Sequence, residues 1–367
     1  MARPQTFPSK KEVSLLNIFE GRVRRFQDLI SQKNIGGAMI RNPYSFRYFT
    51  GVGWWQPSIY IPASGDPTIF AFEDEVEELK EATWIDNILG YRRVEELMRS
   101  VVTVIRGSTG GTLGFDLDID SSALLYQMFL NMHADRRVVD VHDLVMELRM
   151  IKDEMEISLM RRASEIAGKS LRAALEAVRP GATEAEVAGE AVYTAMREGA
   201  ESVHIYVNSG GPRIHAHPRN RRIGAGDAVM VDVMPRYEGY YSDKADTVIL
   251  GDARDKEKAY RAFEEAVETC AGKLRAGITM EEIEGEARRI YERNGLTNYY
   301  VYGFGHGVGL RFEESPITTI VVAHRRMRLR DKMVINLGHA PLTGKPIGAI
   351  KVEETYLVKE DGAEKLT

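Results

Sequence analysis

Two stretches of this chain repeat one another, and no other feature limits its possible folds as much. Residues 181–191, reading GATEAEVAGEA, align without a gap on residues 277–287, reading GITMEEIEGEA. Gly, Thr, Glu, an aliphatic residue, Gly, Glu and Ala recur in register. Thr183 with Glu186, and Thr279 with Glu282, have the spacing of a capping box. In that motif the threonine hydroxyl accepts from the N–H three residues on, and the glutamate reaches back to the threonine N–H. Capped helices are common, but matched residues on both sides of two caps indicate a duplicated half-domain. Each half then supplies one hairpin and its helices.

The hairpins are predicted where the duplication needs them. Residues 229–233 and 240–250 are rich in β-branched and aromatic side chains and flank Pro235-Arg-Tyr-Glu-Gly239, which has turn composition. If residues 236–239 form a four-residue loop, Asp232 stands directly opposite Asp243. Opposed strand side chains lie about 4.5–5.5 Å apart at Cβ, where like charges destabilise unless a cation sits between them. Residues 333–337 and 349–358 flank a second turn around Thr343-Gly-Lys-Pro346, which places Asn336 opposite Glu353. Between the hairpins, Tyr302-Gly-Phe-Gly-His-Gly-Val-Gly-Leu310 surrounds one imidazole, His306, with glycines that let backbone approach closely. Asp232, Asp243, His306 and Glu353, with Asn336 as the weakest member, make a mixed oxygen and nitrogen set. Such a set suits Mn, Fe, Co or Zn better than calcium, as one ion or as two sharing carboxylates. Taken singly, two acids on a hairpin face are as often solvated as functional, and a glycine-rich segment is usually a turn. The conjunction carries the argument.

Ahead of the repeat, helical and strand patterns alternate. They predict a helix over 16–33, short strands over 37–40, 59–61, 68–72, 112–115 and 138–141, and one long helix reached from 146 and running through 178. A chain of 367 residues exceeds what one ordinary core needs. The pattern places the boundary at Leu148, giving an α/β domain over 1–147 and a second domain over 148–367. A net charge of -5 offers no general attraction to nucleic acid or anionic membrane, and Arg325-Arg-Met-Arg-Leu-Arg330 is a solvated basic edge. One cysteine, Cys270, excludes an internal disulfide. Residues 1–10 lack a signal peptide's apolar core, and no run of about 18 apolar residues occurs. A cytoplasmic location, with neither nucleic acid nor membrane as partner, is expected.

In its motifs the chain resembles the creatinase, prolidase and aminopeptidase P family of metallopeptidases, most closely the prolidase and aminopeptidase P branch. Gly226-Asp-Ala-Val-Met-Val-Asp232 and Gly239-Tyr-Tyr-Ser-Asp243 resemble the segments carrying that family's first two metal aspartates. Gly305-His306-Gly-Val-Gly-Leu310 resembles its histidine segment, and Lys351-Val-Glu353-Glu-Thr355 its final metal glutamate. The resemblance runs from about residue 146 onward. It implies an α+β protein: an N-terminal creatinase-type α/β domain, then a pseudo-twofold pita-bread domain in which helices cover a curved antiparallel sheet. It also implies a homodimer, a divalent-metal cofactor, and cleavage of an amide bond in a peptide or small amide by metal-activated water, as in an Xaa-Pro dipeptidase or aminopeptidase P. A substrate-binding histidine is implied upstream of Asp232, and His215 and His217 both fit. A loop bearing Trp54 and Trp55 is implied as a substrate contact across the dimer, although at least one of the two rings is expected in the core.

The departures matter as much. Where the family has Glu-Pro-Gly, this chain has Asn336-Leu-Gly338, so a charged ligand and base become an amide. The pattern Ser-Asp-x-Thr-Arg-Thr becomes Ser242-Asp-Lys-Ala-Asp-Thr247. Glu313 replaces the usual histidine after Gly-His-Gly-Val-Gly-Leu, and proton transfer is expected to fall to Glu353, Glu313 or solvent, with Glu313, His215 and His217 as the catalytic candidates. By the family pattern, the position formed by Asp232, Asp243 and Glu353 keeps its ligands, whereas the one formed by Asp243, His306, Asn336 and Glu353 is weakened. His339 falls on the opposite strand face if the strand continues. Loss of the acid leaves two other functions open: a non-peptide small-molecule hydrolase or lyase on the creatinase scaffold, or a binding homologue with impaired catalysis.

Overall fold

The computed structural model describes residues 13–107 and 111–366, with side chains from Ile18 onward. The 1–10 segment lies outside the described residues. The chain divides into two compact units, one ending at Arg149 and one beginning at Met150. No helix among the described residues is long and apolar enough to cross a membrane.

The first unit contains one six-stranded sheet. Its strands are β1 (Ile35–Ile40), β2 (Ile59–Pro62), β3 (Thr68–Phe72), β4 (Ile88–Tyr91), β5 (Thr112–Phe115) and β6 (Val138–Asp140), in the order β4-β3-β2-β1-β5-β6. β1 runs parallel to β5, and β5 to β6, while β2 is antiparallel to β1 and β3. β1 and β2 are buried along their whole length, which is why they read as unbroken apolar runs rather than alternating ones. Neither tryptophan of the 50–56 segment enters the core, contrary to expectation. Trp55 is 90% exposed, and the half-buried Trp54 donates its indole N–H to Glu75 Oε2 at 3.0 Å. The preceding helix Pro43–Thr50 ends at Gly51 with φ 82°, and Phe46 and Phe49 on that helix already fill the interior.

The long helix predicted through 178 is instead two helices, His142–Arg149 and Glu154–Ala177. Asp153 starts the second: its carboxylate accepts from Glu156 N at 3.0 Å, and Glu156 accepts from Asp153 N at 3.0 Å. A third capping box thus begins a new helix inside one continuous apolar pattern.

The second unit shows the duplication. Helices Glu184–Arg197 and Met280–Arg293 both open with reciprocal capping boxes, at Thr183 and Thr279. The glycines ahead of the caps share a left-handed backbone, with φ 89° at Gly181 and 88° at Gly277. Thr183 bridges to Arg222, and Thr279 bridges to Arg328. In the first half, β7 (Ser202–Ser209), β8 (Ala228–Tyr237), β9 (Tyr240–Tyr241) and β10 (Lys244–Ile249) form an antiparallel sheet with β8 at its centre. In the second half, β11 (Gly305–Gly307), β12 (Glu314–Ile317), β13 (Val334–Leu337), β14 (Leu342–Gly344), β15 (Gly348–Ile350), β16 (Glu354–Lys359) and β17 (Gly362–Lys365) follow. Five of them form a sheet in the order β12-β11-β13-β16-β17, and β14 pairs with β15 apart. Leu171, Val187 and Ala191 of the helices pack on Val207, Val229, Val231 and Val233 of the strands. The expected α+β arrangement of helices over antiparallel strands is thereby present. The halves are joined where Ala245 N donates to Glu353 O at 3.2 Å and Glu353 N donates to Ala245 O at 2.9 Å.

Both predicted registers are off by two residues, in the same sense. The first hairpin closes through Glu238 and Gly239 alone, with φ 43° and 88°. A two-residue turn of type I′ needs both left-handed conformations. Pro235 is a strand residue facing Val203. Asp232 therefore faces Ala245, with Asp243 as its diagonal neighbour. In the second half Asn336 faces Thr355, with Glu353 diagonal to it. Strand side chains alternate with period two, so a slip of two keeps each acid on its intended face.

Candidate functional site

Five predicted ligands meet in the second unit. Asp232 lies within β8, Asp243 just before β10, His306 in β11, Asn336 in β13 and Glu353 just before β16. None is more than 3% exposed. His306 Nε2 lies 3.5 Å from Asp243 Oδ2 and 3.6 Å from Glu353 Oε1. Its Nδ1 lies 3.0 Å from the carbonyl oxygen of Gly307. A carbonyl only accepts, so Nδ1 carries the proton there and Nε2 is the atom offered to the carboxylates.

Asn336 is turned by its own hydrogen bonds. Its Nδ2 donates to Asp243 O at 2.9 Å and to Thr355 Oγ1 at 3.3 Å, and Thr355 Oγ1 donates to Asp243 O at 2.8 Å. The amide fixes the backbone of Asp243 and leaves only Oδ1 facing the other side chains.

Two members were not assigned from sequence. Lys351 Nζ donates to Asp232 Oδ2 at 2.6 Å and forms an ion pair with Glu353 Oε2. Its place two residues before Glu353, on the same face of extended backbone, was the available signal. His339 reaches the site because the alternation that excluded it stops at Leu337. Gly338 adopts φ 98°, and both Gly338 N and His339 N donate to Phe304 O. The His339 ring then stands edge-on to His306, with centroids 4.5 Å apart, and its Nδ1 is 3.5 Å from Glu353 Oε1. A Cβ on Gly338 would lie 1.9 Å from Val352 O. Gly338→Ala is therefore expected to cost about 2–3 kcal/mol and to withdraw His339. A denaturant midpoint equal to that of the parent protein would refute this.

Above the acids lies a cavity of about 170 Å³, lined by apolar Ile214, Met234, Phe312 and Pro341 and by polar Tyr206, His215, Glu313 and His339. His215 lines it; His217 does not, its ring standing 5.5 Å from Tyr206 and 6.3 Å from His204. Glu184 anchors the segment bearing His215: this buried carboxylate accepts from Ser209 N at 2.9 Å, Arg213 at 3.0 Å and Arg219 N at 3.1 Å. Glu313 accepts from Thr319 Oγ1 at 3.2 Å and faces His339 Nε2 at 3.8 Å.

The charges are unequal. Burial, then Glu353 and Asp232, push the Asp243 carboxyl well above the usual carboxylate range. Burial also raises Asp232, against the pull of Lys351. Burial would raise Glu353 too, but Lys351, His306 and His339 hold it well below its usual value. Lys351 is moved up despite burial by Asp232, Glu353 and Asp243, so it remains an ammonium. His306 is lifted against burial by Asp243 and Glu353, whereas burial and the His306 charge lower His339.

The side chains fit a divalent metal ion. Among the described residues, Asp232 Oδ1, Asp243 Oδ1, His306 Nε2, Asn336 Oδ1, His339 Nδ1 and Glu353 Oε1 are buried without a hydrogen-bond partner. Buried polar atoms are nearly always satisfied, so this convergence of acceptors calls for a cation. Two subsets, Asp232-Asp243-Glu353 and His306-His339-Glu353, bring their ligand atoms within 4.8 Å of one another.

The comparisons with known proteins agree with this geometry. Residues 158–360 match metallopeptidase family M24, and residues 22–151 match the creatinase/prolidase N-terminal domain. The Xaa-Pro dipeptidase of Pyrococcus furiosus is 27% identical over 354 residues, covering 94% of this chain and 97% of that protein. The solved prolidase from Pyrococcus horikoshii OT3 superposes with a TM-score of 0.86 at 26% identity, covering 95% of this chain and 98% of its own. The X-Pro aminopeptidase from Thermotoga maritima MSB8 superposes with a TM-score of 0.81 at 25% identity, covering 94% and 97%.

Proposed function

Because the chain belongs to metallopeptidase family M24, we propose that it is a metal-dependent Xaa-Pro dipeptidase, hydrolysing the amide bond ahead of a C-terminal proline. The observation that carries this reading is the set of unpartnered ligand atoms at the base of a small, apolar-walled cavity. It stands in a chain that Xaa-Pro dipeptidases match almost end to end. The cavity is smaller than the roughly 300–1,000 Å³ of sites for drug-sized ligands, which favours a dipeptide over a longer chain. Ile214, Met234, Phe312 and Pro341 offer the walls that a pyrrolidine ring needs. A cytoplasmic homodimer, with Mn, Co, Zn or Fe as the ion, belongs to the same reading.

Asp243, His306 and Glu353 would hold the ion, with Asp232 and His339 on either side. When bound, it supplies a Lewis acid that polarises the scissile carbonyl. Glu313 is the proton carrier. Burial raises its pKa, but His306 and His339 outweigh that and lower it, so it is ionised at neutral pH and accepts the proton of the attacking water. It then returns that proton to the departing proline nitrogen. Tyr206 stays protonated because burial and Asp232 raise its pKa, and it donates to the oxygen on which charge develops. His215 binds the substrate, and the apolar walls keep bulk water out.

Incubating the metal-loaded protein with Ala-Pro, Met-Pro and Ala-Ala tests the proposal. Free proline should appear from the first two, little hydrolysis should occur with the third, and a chelator should abolish both. A preparation shown by elemental analysis to contain metal, yet releasing no proline from any Xaa-Pro dipeptide, would sink it.

A further inference from the structure

The donor atoms are not spread evenly over the centre. On one side Lys351 already engages Asp232 Oδ2 at 2.6 Å and pairs with Glu353 Oε2. On the other, the unpartnered His306 Nε2, His339 Nδ1 and Glu353 Oε1 face one another, while Asp232 Oδ1 and Asp243 Oδ1 are unpartnered too. His306 Nε2 and His339 Nδ1 lie 3.6 and 3.5 Å from Glu353 Oε1, and Asp243 Oδ2 lies 3.5 Å from His306 Nε2. These separations exceed good hydrogen-bond lengths. They match the edge of a coordination tetrahedron, since ligands about 2.0–2.1 Å from an ion at tetrahedral angles stand roughly 3.4 Å apart. His339 Nε2 faces Glu313 Oε1 at 3.8 Å, and the opposite ring nitrogen of His306 is held by Gly307 O at 3.0 Å. That outer contact is how ligating imidazoles are usually oriented.

Charge points to the same side. Among the buried groups, Asp232, Asp243 and Glu353 bring three negative charges and Lys351 one positive, which leaves what a single divalent ion neutralises; counting the part-exposed Glu313 as well, two ions would still leave an excess of positive charge. A second ion would leave net positive charge among groups that are at most 5% exposed, where uncompensated charge is costly. Asn336, unlike a glutamate, adds no charge to offset it.

The geometry points to one divalent ion per chain, held by His306, His339, Glu353 and Asp243, with His339 as the ligand that Asn336 cannot be and the Lys351 ammonium in the place of a second ion. The inference rests on the metallopeptidase reading for the presence of an ion. It reverses the sequence expectation that the Asp232 side keeps its ion and the histidine side loses affinity. Two imidazoles and carboxylates favour zinc, ferrous iron or cobalt over manganese.

Full-length protein stripped by a chelator and titrated with Zn(II) is expected to bind one ion per chain. Loaded with Cu(II), it should show electron spin-echo modulation from two coordinated imidazoles, and His339→Gln should show one. His339→Gln should also bind Zn(II) at least about 100-fold more weakly, a ligand being worth more than the 10–100-fold of an outer contact. Two ions per native chain, a single coordinated imidazole in native protein, or no ion at all would each overturn the inference. The measurements on native protein decide it even if the variant fails to fold. One ion on two imidazoles without proline release leaves the inference standing and removes the activity assignment; two ions with proline release does the reverse.

Discussion

Lys351→Met is expected to lower the stability of the metal-free protein by about 3–5 kcal/mol at pH 8, because removing one partner of a buried ion pair strands the other. Here it strands two, Asp232 and Glu353, with Asp243 beside them. Methionine keeps the length and apolar stem of lysine, so the effect reads the charge rather than a cavity. The loss should shrink in acid. Asp232 and Asp243 already have folded pKa values above the usual range, and without the ammonium the Glu353 pKa should rise from its depressed value, with His306 and His339 still opposing the rise. The folded state then retains protons that the unfolded chain has released. Stability accordingly falls as pH rises from the ordinary carboxylate range through the raised folded values, and is recovered below it. A divalent ion should restore much of the deficit, about 4 kcal/mol at 1,000 times its Kd. Urea unfolding at pH 5 and pH 8, with chelator and with Zn(II), measures all of this. Equal midpoints for variant and parent at pH 8 in chelator would show that Lys351 compensates nothing.

Glu313→Gln is expected to lower kcat on Xaa-Pro dipeptides by about 10²- to 10⁴-fold, the range for loss of a positioned proton carrier. Glutamine keeps the shape and can still meet Thr319, so KM should change little, and kcat is read at saturating Zn(II) because His339 loses the carboxylate it faces. The pH profile separates this role from a structural one. In the parent, activity should fall on the acid side as Glu313 becomes protonated. In the variant that acid limb should vanish. A kcat loss below about tenfold, or a limb that survives, would assign the proton to another group.

What could be read from the sequence was local or followed a period. The caps at Thr183 and Thr279 are contained within four residues each, and both formed as expected. The acids kept their faces through a register error because alternation forgives a slip of two. In the first hairpin the error came from Glu238, a residue that seldom takes the left-handed conformation that the tight turn imposes on it. One glycine angle, at Gly338, separates the expected His339 from the observed one. Lys351 escaped assignment for another reason: its partner Asp232 is 119 residues away in the other half, and only folding brings them together. The Trp54-Trp55 pair shows the limit of composition, since two large aromatic rings beside a filled core simply stay outside it.

The paired hydrogen bonds between Ala245 and Glu353 also bear on motion. They join one half of the second unit to the other at Glu353, so parting the halves like jaws would break these bonds and displace its carboxylate. Admission and release of small molecules would then fall to the rim, the segment bearing Ile214 and His215 between β7 and β8 and the one bearing Phe312 between β11 and β12. A passage through these segments needs no change in the joined floor beneath them.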